Sequence, residues 1–287
     1  MKNYILAITI FLSSCSFDQV KDDEVVIYTS RQPQLIENLL NVFTEETGIQ
    51  VTVLSGDAQQ LMERIAVEEA DTDADIFMTV DAGVLWQAAD KGIFDPVESE
   101  VLTSRIPQHL RDIDNQWFGF SKRARTIVYS KIDINPQDLS SYEALATKRF
   151  KDKLCLRTSK KVYNRSLIAS MIEANGFKRT ERVVKGWVNN LAEPVFSSDT
   201  NVLKAVEAGN CSLTIVNTYY LARLIESNSA ENLGIFWANQ EDRGVHVNIS
   251  GAGLVKWSNN KSSSIKLLEW LSSDTAQEMY AKANKEY

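Results

Sequence analysis

From residue 25 onward, short apolar runs alternate with amphipathic segments, and this rhythm constrains the fold more than any other feature of the chain. "VVIYTS" (Val25 to Ser30) has the length and β-branched content of a buried strand, and Leu35, Ile36, Leu39, Leu40 and Phe43 then recur at helical spacing until Gly48. "IQVTVL" (Ile49 to Leu54), a helix marked by Leu61, Met62, Ile65 and Ala66, "DIFMTV" (Asp75 to Val80) and a helix from Val84 to Ala89 repeat the pattern. Strands and helices joined by short loops build an α/β unit on a mainly parallel sheet. The theme returns with "TIVYS" (Thr126 to Ser130), "LCLRT" (Leu154 to Thr158) and "CSLTIVN" (Cys211 to Asn217), separated by helices such as Ser166 to Ala174 and Asn201 to Ala208. The C-terminal region is helical again through Ile265, Leu267, Leu268, Trp270 and Leu271. Two α/β units in 287 residues predict two lobes with a cleft between them, the usual seat of a ligand.

The first residues predict export. "MKNYILAITIFLSSC" pairs a positive Lys2 with an apolar run too short to span a bilayer and with small residues before Cys15. "LSSC" resembles a bacterial lipobox, in which the cysteine becomes the lipid-bearing first residue. The plainer reading is secretion with cleavage near Ser14 or Ser16. Residues 1–15 are therefore assigned to a signal and 16–24 to a polar tether, with membrane attachment expected only through a lipid on Cys15. Two cysteines remain. In an oxidising compartment Cys155 and Cys211 suggest one disulfide, the other reading being two buried thiols. A net charge of −7 without a basic stripe argues against nucleic acid as a partner.

No local catalytic motif supports an enzyme. The two histidines, His109 and His246, are far apart, and H-E-x-x-H, C-x-x-C and G-x-S-x-G are absent. "SGAG" (Ser250 to Gly253) reads as a turn, and "DTDAD" (Asp71 to Asp75) as a solvated loop because Ile76 stands where a calcium loop needs glycine. The tyrosines are more informative. Tyr163 in "KKVYNRS" and Tyr219 and Tyr220 in "NTYYLARLIE" fall on strand-to-helix turns, at the sheet end where open α/β folds hold ligands. Helix N-termini favour anions and are expected to help phenolates form below their usual pKa near 10. Phenolate oxygens suit a hard cation, and three would balance a ferric ion. The competing reading is aromatic packing with a hydrogen-bonded hydroxyl.

Seven stretches, "VVIYTSRQPQLIE", "ADIFMTVDAG", "IPQHLRD", "WFGFSKRARTIVYSK", "LCLRTSKKVYNRSLIASMIE", "NTYYLARL" and "HVNISGAGLVKWSNN", resemble the periplasmic ferric-iron-binding proteins of ABC importers, within the type II, transferrin-like solute-binding fold. The resemblance implies Tyr163, Tyr219 and Tyr220 as iron ligands. Some members add a histidine and a tyrosine in a "SARHY"-like loop, where this chain has "TSRQPQ", with Gln32 and Pro33. The departure is similar to a subgroup that completes the shell with a synergistic anion, commonly carbonate, held by arginines equivalent to Arg31 and Arg123; Arg125 is a weaker candidate. Arginine's planar fork matches such an anion. Family members also continue past a segment like "NKEY", so a further C-terminal segment is implied.

The resulting expectation is a two-lobed binding protein. Lobe 1 spans 25–121 plus 246–287, lobe 2 spans 122–245, and hinge strands lie near Thr126 and Val247. The implied role is capture of ferric iron as an exported, periplasmic monomer that docks on an ABC-type iron permease in the inner membrane, with no catalysis. Two other readings stay open. One is a binding protein of the same fold for another solute, with the tyrosines as an aromatic box; the other is an exported hydrolase.

Overall fold

The computed structural model describes residues 24–285. The signal, Cys15 and all of the tether except Glu24 lie outside the described residues, while Glu24 itself opens the first strand. Strands β1 (Glu24–Thr29), β2 (Gln50–Ser55) and β3 (Ile76–Thr79) run parallel, with β1 in the middle. Helices α1 (Glu37–Thr47), α2 (Ala58–Glu68) and α3 (Ala82–Asp90) alternate with them. Gly48 ends α1 in the left-handed region at φ 77°, which glycine enters without a Cβ clash. Short β4 (Phe94–Asp95) and α4 (Glu100–Arg105) lead to β5 (Phe118–Ser130).

The second unit holds β6 (Leu154–Cys155), α5 (Val162–Asn175), α6 (Phe177–Asn189), α7 (Asp199–Glu207), β7 (Leu213–Asn217), α8 (Thr218–Glu226) and β8 (Leu233–Phe236). The chain then returns through β9 (His246–Val255) and closes with α9 (Lys261–Leu271) and α10 (Asp274–Asn284). The sheet order is β2-β1-β3-β9-β5-β7-β6, with β4 beside β9 and β8 beside β5. Two strands cross between the halves. The first part of β5 pairs antiparallel with β9, and its last part pairs with β7 and β8. The last part of β9 pairs with β3 and β4. Hydrophobic clusters follow the same division. One pair gathers around β1–β3 and the C-terminal helices, the other around β5–β7 with α5 to α8.

Several expectations are corrected. β5 begins eight residues before the expected Thr126, because "FGFSKRAR" is a charged crossing strand without the apolar run that marks an ordinary one. "SGAG" is strand β9 and not a turn. A Cβ on Gly251 would lie 2.4 Å from the Phe118 carbonyl oxygen, and one on Gly253 2.4 Å from that of Gln116, so these glycines permit close strand approach. Asp75 is buried and not solvated: it accepts from the Val26 amide at 2.9 Å and from Ser258 Oγ at 2.6 Å. Regular strand stops at Cys155 within "LCLRT". The disulfide between Cys155 and Cys211 forms, with Cα atoms 5.9 Å apart, and ties β6 to the start of β7. Among the described residues no helix is long and apolar enough to cross a membrane.

Candidate metal centre

A cleft of about 950 Å³ runs between the two halves of the sheet. Four helix N-termini reach it: α2 and α3 from one wall, α5 and α8 from the other. Tyr163 is the second residue of α5, and Tyr219 and Tyr220 are the second and third of α8. All three line the cleft. The rings of Tyr219 and Tyr220 lie 4.3 Å apart, tilted by 36°. Asn217 Nδ2 donates to the Tyr219 hydroxyl at 3.3 Å, and the phenols of Tyr163 and Tyr220 are near enough to act on it by charge and hydrogen bonding. The convergence follows from the chain path, since β6 and β7 are parallel neighbours and both tyrosine turns leave the same end of the sheet.

The expected lowering of the phenol pKa is reversed. Burial first, then the neighbouring phenols Tyr163 and Tyr220, push Tyr219 well above its ordinary value, and burial also raises Tyr220. Desolvation of the charged form outweighs the helix N-terminus here. Both phenols are therefore neutral at neutral pH.

Arg31, from the loop after β1, lines the same cleft and is 3% exposed. Its Nη2 donates to Ser250 Oγ at 2.6 Å and Ser121 Oγ at 3.3 Å. Arg123 is buried behind it and is not among the cleft-lining residues. It donates to the same Ser250 Oγ at 3.1 Å and to the Val80 carbonyl, and its guanidinium stands 5.8 Å from the Tyr163 ring centre. One serine hydroxyl thus brings the two arginines together. Arg125 is different: its donors all go to Asn164, Asp199 and Asn217.

Other cleft residues carry no motif in the sequence. Arg157 lies 5.2 Å over the Tyr163 ring, pairs with buried Asp199 at 3.2 Å and reaches the Tyr220 hydroxyl. Lys160, Lys161, Arg165 and Arg223 add cations to the mouth, against the carboxylates of Asp57 and Asp81. Asp81 joins the walls: it accepts from Ser166 of α5, from Asn248 Nδ2 at 2.7 Å and from the Val84 amide at 3.2 Å. His246 opens β9 at the crossing point. Burial, then Arg125 and Arg123, hold its pKa down at about 4, against an opposing pull from Asp81, and its Nε2 has no hydrogen-bond partner among the described residues. Among those residues no group of three or more His, Cys, Asp or Glu side chains gathers as a metal site.

Residues 38–286 match the family model described as bacterial extracellular solute-binding protein. The chain belongs to that family. This solute-binding protein is 44% identical over 273 residues to Iron uptake protein A1 of Synechocystis sp., covering 93% of this chain and 76% of the relative. It superposes with a TM-score of 0.85 on a Trichodesmium protein (IdiA, FutA) solved with iron and citrate ligands, at 44% identity over 92% of this chain and 85% of that one. The ferric binding protein of Campylobacter jejuni gives a TM-score of 0.86 at 34% identity, over 92% and 85% of the two chains. The fold is the two-lobed α/β architecture of such proteins.

Proposed function

We propose that this protein captures ferric iron outside the cytoplasm and delivers it to an ABC-type iron permease in the inner membrane. The carrying observation is the convergence of Tyr163, Tyr219 and Tyr220 in one cationic cleft, in a chain whose relatives include an iron uptake protein and a ferric binding protein. The three phenolates act as hard oxygen ligands. Because Tyr219 and Tyr220 start as neutral phenols, iron loading releases protons and affinity falls with acid.

A ferric ion with three phenolates is formally neutral, so a further anion brings excess negative charge that the cleft must offset. Arg31 contacts this anion in the proposed complex, with Arg123 fixed behind it through Ser250. Carbonate is the proposed anion. A larger carboxylate is the second reading, favoured by the volume of the cleft and by Lys160, Lys161 and Arg165 at its mouth; the Trichodesmium relative holds citrate. Residues 25–121 with 246–287 form one lobe and 122–245 the other, closing about β5 and β9. The protein works as an exported periplasmic monomer, tethered by a lipid on Cys15.

The test is a visible absorption titration of iron-stripped protein with a chelated ferric salt, alone and with bicarbonate or citrate. An orange-red tyrosinate-to-iron band saturating at one iron per chain is expected. In the Tyr219→Phe, Tyr220→Phe double variant the band disappears, and affinity falls well beyond the roughly 10–100-fold that loss of a supporting contact costs. No band in the unmodified protein refutes the reading and leaves the tyrosines as an aromatic box. Whichever anion strengthens the band identifies the partner of Arg31.

A further inference from the structure

Arg125 is 1% exposed, yet its bonds point at the ligand-bearing turns rather than at the general core. Its Nε and Nη2 donate to Asn164 Oδ1 at 3.0 and 2.7 Å. Nη1 donates to Asp199 Oδ2 at 3.2 Å and to Asn217 Oδ1 at 3.1 Å, and Nη2 also donates to Asp199 Oδ1 at 3.2 Å. All five donors of the guanidinium are engaged. Each acceptor leads towards the tyrosines. Asn164 adjoins Tyr163 in α5, and its Nδ2 donates to the Arg157 carbonyl at 2.7 Å. Asn217 donates to the Tyr219 hydroxyl. Asp199 holds Arg157, which lies over Tyr163 and reaches Tyr220. Arg125 also stands opposite Asn217 on β7 and His246 on β9, where the crossing strand passes from one partner to the next.

We infer that Arg125 is the positioning residue of the metal centre: one buried guanidinium sets the geometry of all three tyrosines and fixes them to the crossing strand β5. A salt bridge as deeply buried as this adds little net stability over apolar packing, so its directional fork is what the site uses. The ligand set is then built before any cation arrives, and β5 carries its orientation into the motion between lobes. The inference rests on the tyrosines being iron ligands, and its test separates the two claims.

Arg125→Gln, Arg125→Lys and Asn164→Ala are compared with the unmodified protein in two measurements. The first is nitration of tyrosines by tetranitromethane in the metal-free protein, mapped by mass spectrometry. Nitration is severalfold faster at Tyr219 in Arg125→Gln and at Tyr163 in Asn164→Ala. The second is the ferric titration, in which these variants bind roughly 10–100-fold more weakly with a displaced absorption maximum. Lysine does not restore either property, because an ammonium cannot form the fork. Folded variants with unaltered nitration, affinity and band overturn the inference. If Arg125→Gln fails to fold, Asn164→Ala, which removes one limb from a half-buried position, decides alone. If the unmodified protein shows no iron band, the iron reading fails while nitration still decides the positioning.

Discussion

The two walls of the cleft use the same construction for opposite ends. Each presents strand-to-helix turns, yet α2 and α3 are capped by carboxylates while α5 and α8 have no side-chain cap. Asp57 accepts from the amides of Gln59 and Gln60, and Asp81 accepts from that of Val84. At the other wall Lys161 caps nothing, and Asn217 turns its side chain to Arg125 and Tyr219 instead. A carboxylate cap neutralises the positive end of its helix; an uncapped end stays available to anionic groups. One wall is therefore electrically finished by its own sequence, whereas the other leaves its helix ends open to the cleft. The tyrosine wall is also the stiffened one, through the disulfide beneath its turns and the Arg125–Asp199–Arg157 cluster behind them.

The sharpest way to break this contrast is to attack the charge cluster. Asp199 is fully buried between two arginines. Asp199→Asn leaves both without a counter-charge, and denaturant unfolding should show a loss of about 3–5 kcal/mol. A smaller effect is expected where the walls meet. His246 has a folded pKa of about 4, below its unfolded value. The unfolded chain thus takes up a proton that the folded one refuses, so stability declines as pH falls from about 6.5 towards 4 and levels off below. In His246→Gln that decline is shallower by about 3 kcal/mol, read from urea midpoints across the window. The smallest effect belongs to the finished wall. Asp57→Ala removes a cap and costs about 1 kcal/mol, with tyrosine nitration unchanged. An equal response of the two walls in these measurements would erase the contrast.

What the sequence discloses divides along the same line. Tyr163, Tyr219 and Tyr220 are legible because each follows an apolar strand and precedes a helical stripe, which places it at the end of the sheet that borders the cleft. The parallel rhythm of β1 to β3 is legible for the same reason. The role of Arg125 is not. In "SKRAR" Lys122 is exposed while Arg123 and Arg125 share the buried face of the crossing strand, so alternation cannot say which of the two arginines holds the tyrosine turns. Arg157 is hidden because its partner Asp199 lies 42 residues away. The raised phenol pKa depends on burial that only the folded arrangement creates.

The placement of β9 has a consequence for how the protein is made. It is the last strand among the described residues, yet it occupies the middle of the sheet, between β3 and β5. A chain emerging N-terminus first can assemble β5 to β8 from neighbouring sequence, so the tyrosine half gains its partners early. The first half waits with β3 open along one edge, an invitation to mispairing. Insertion of β9 closes that edge and joins the halves in one long-range event, the kind that sets a slow folding rate. Assembly of the sheet therefore ends at the strands that join the halves, after the tyrosine wall already exists.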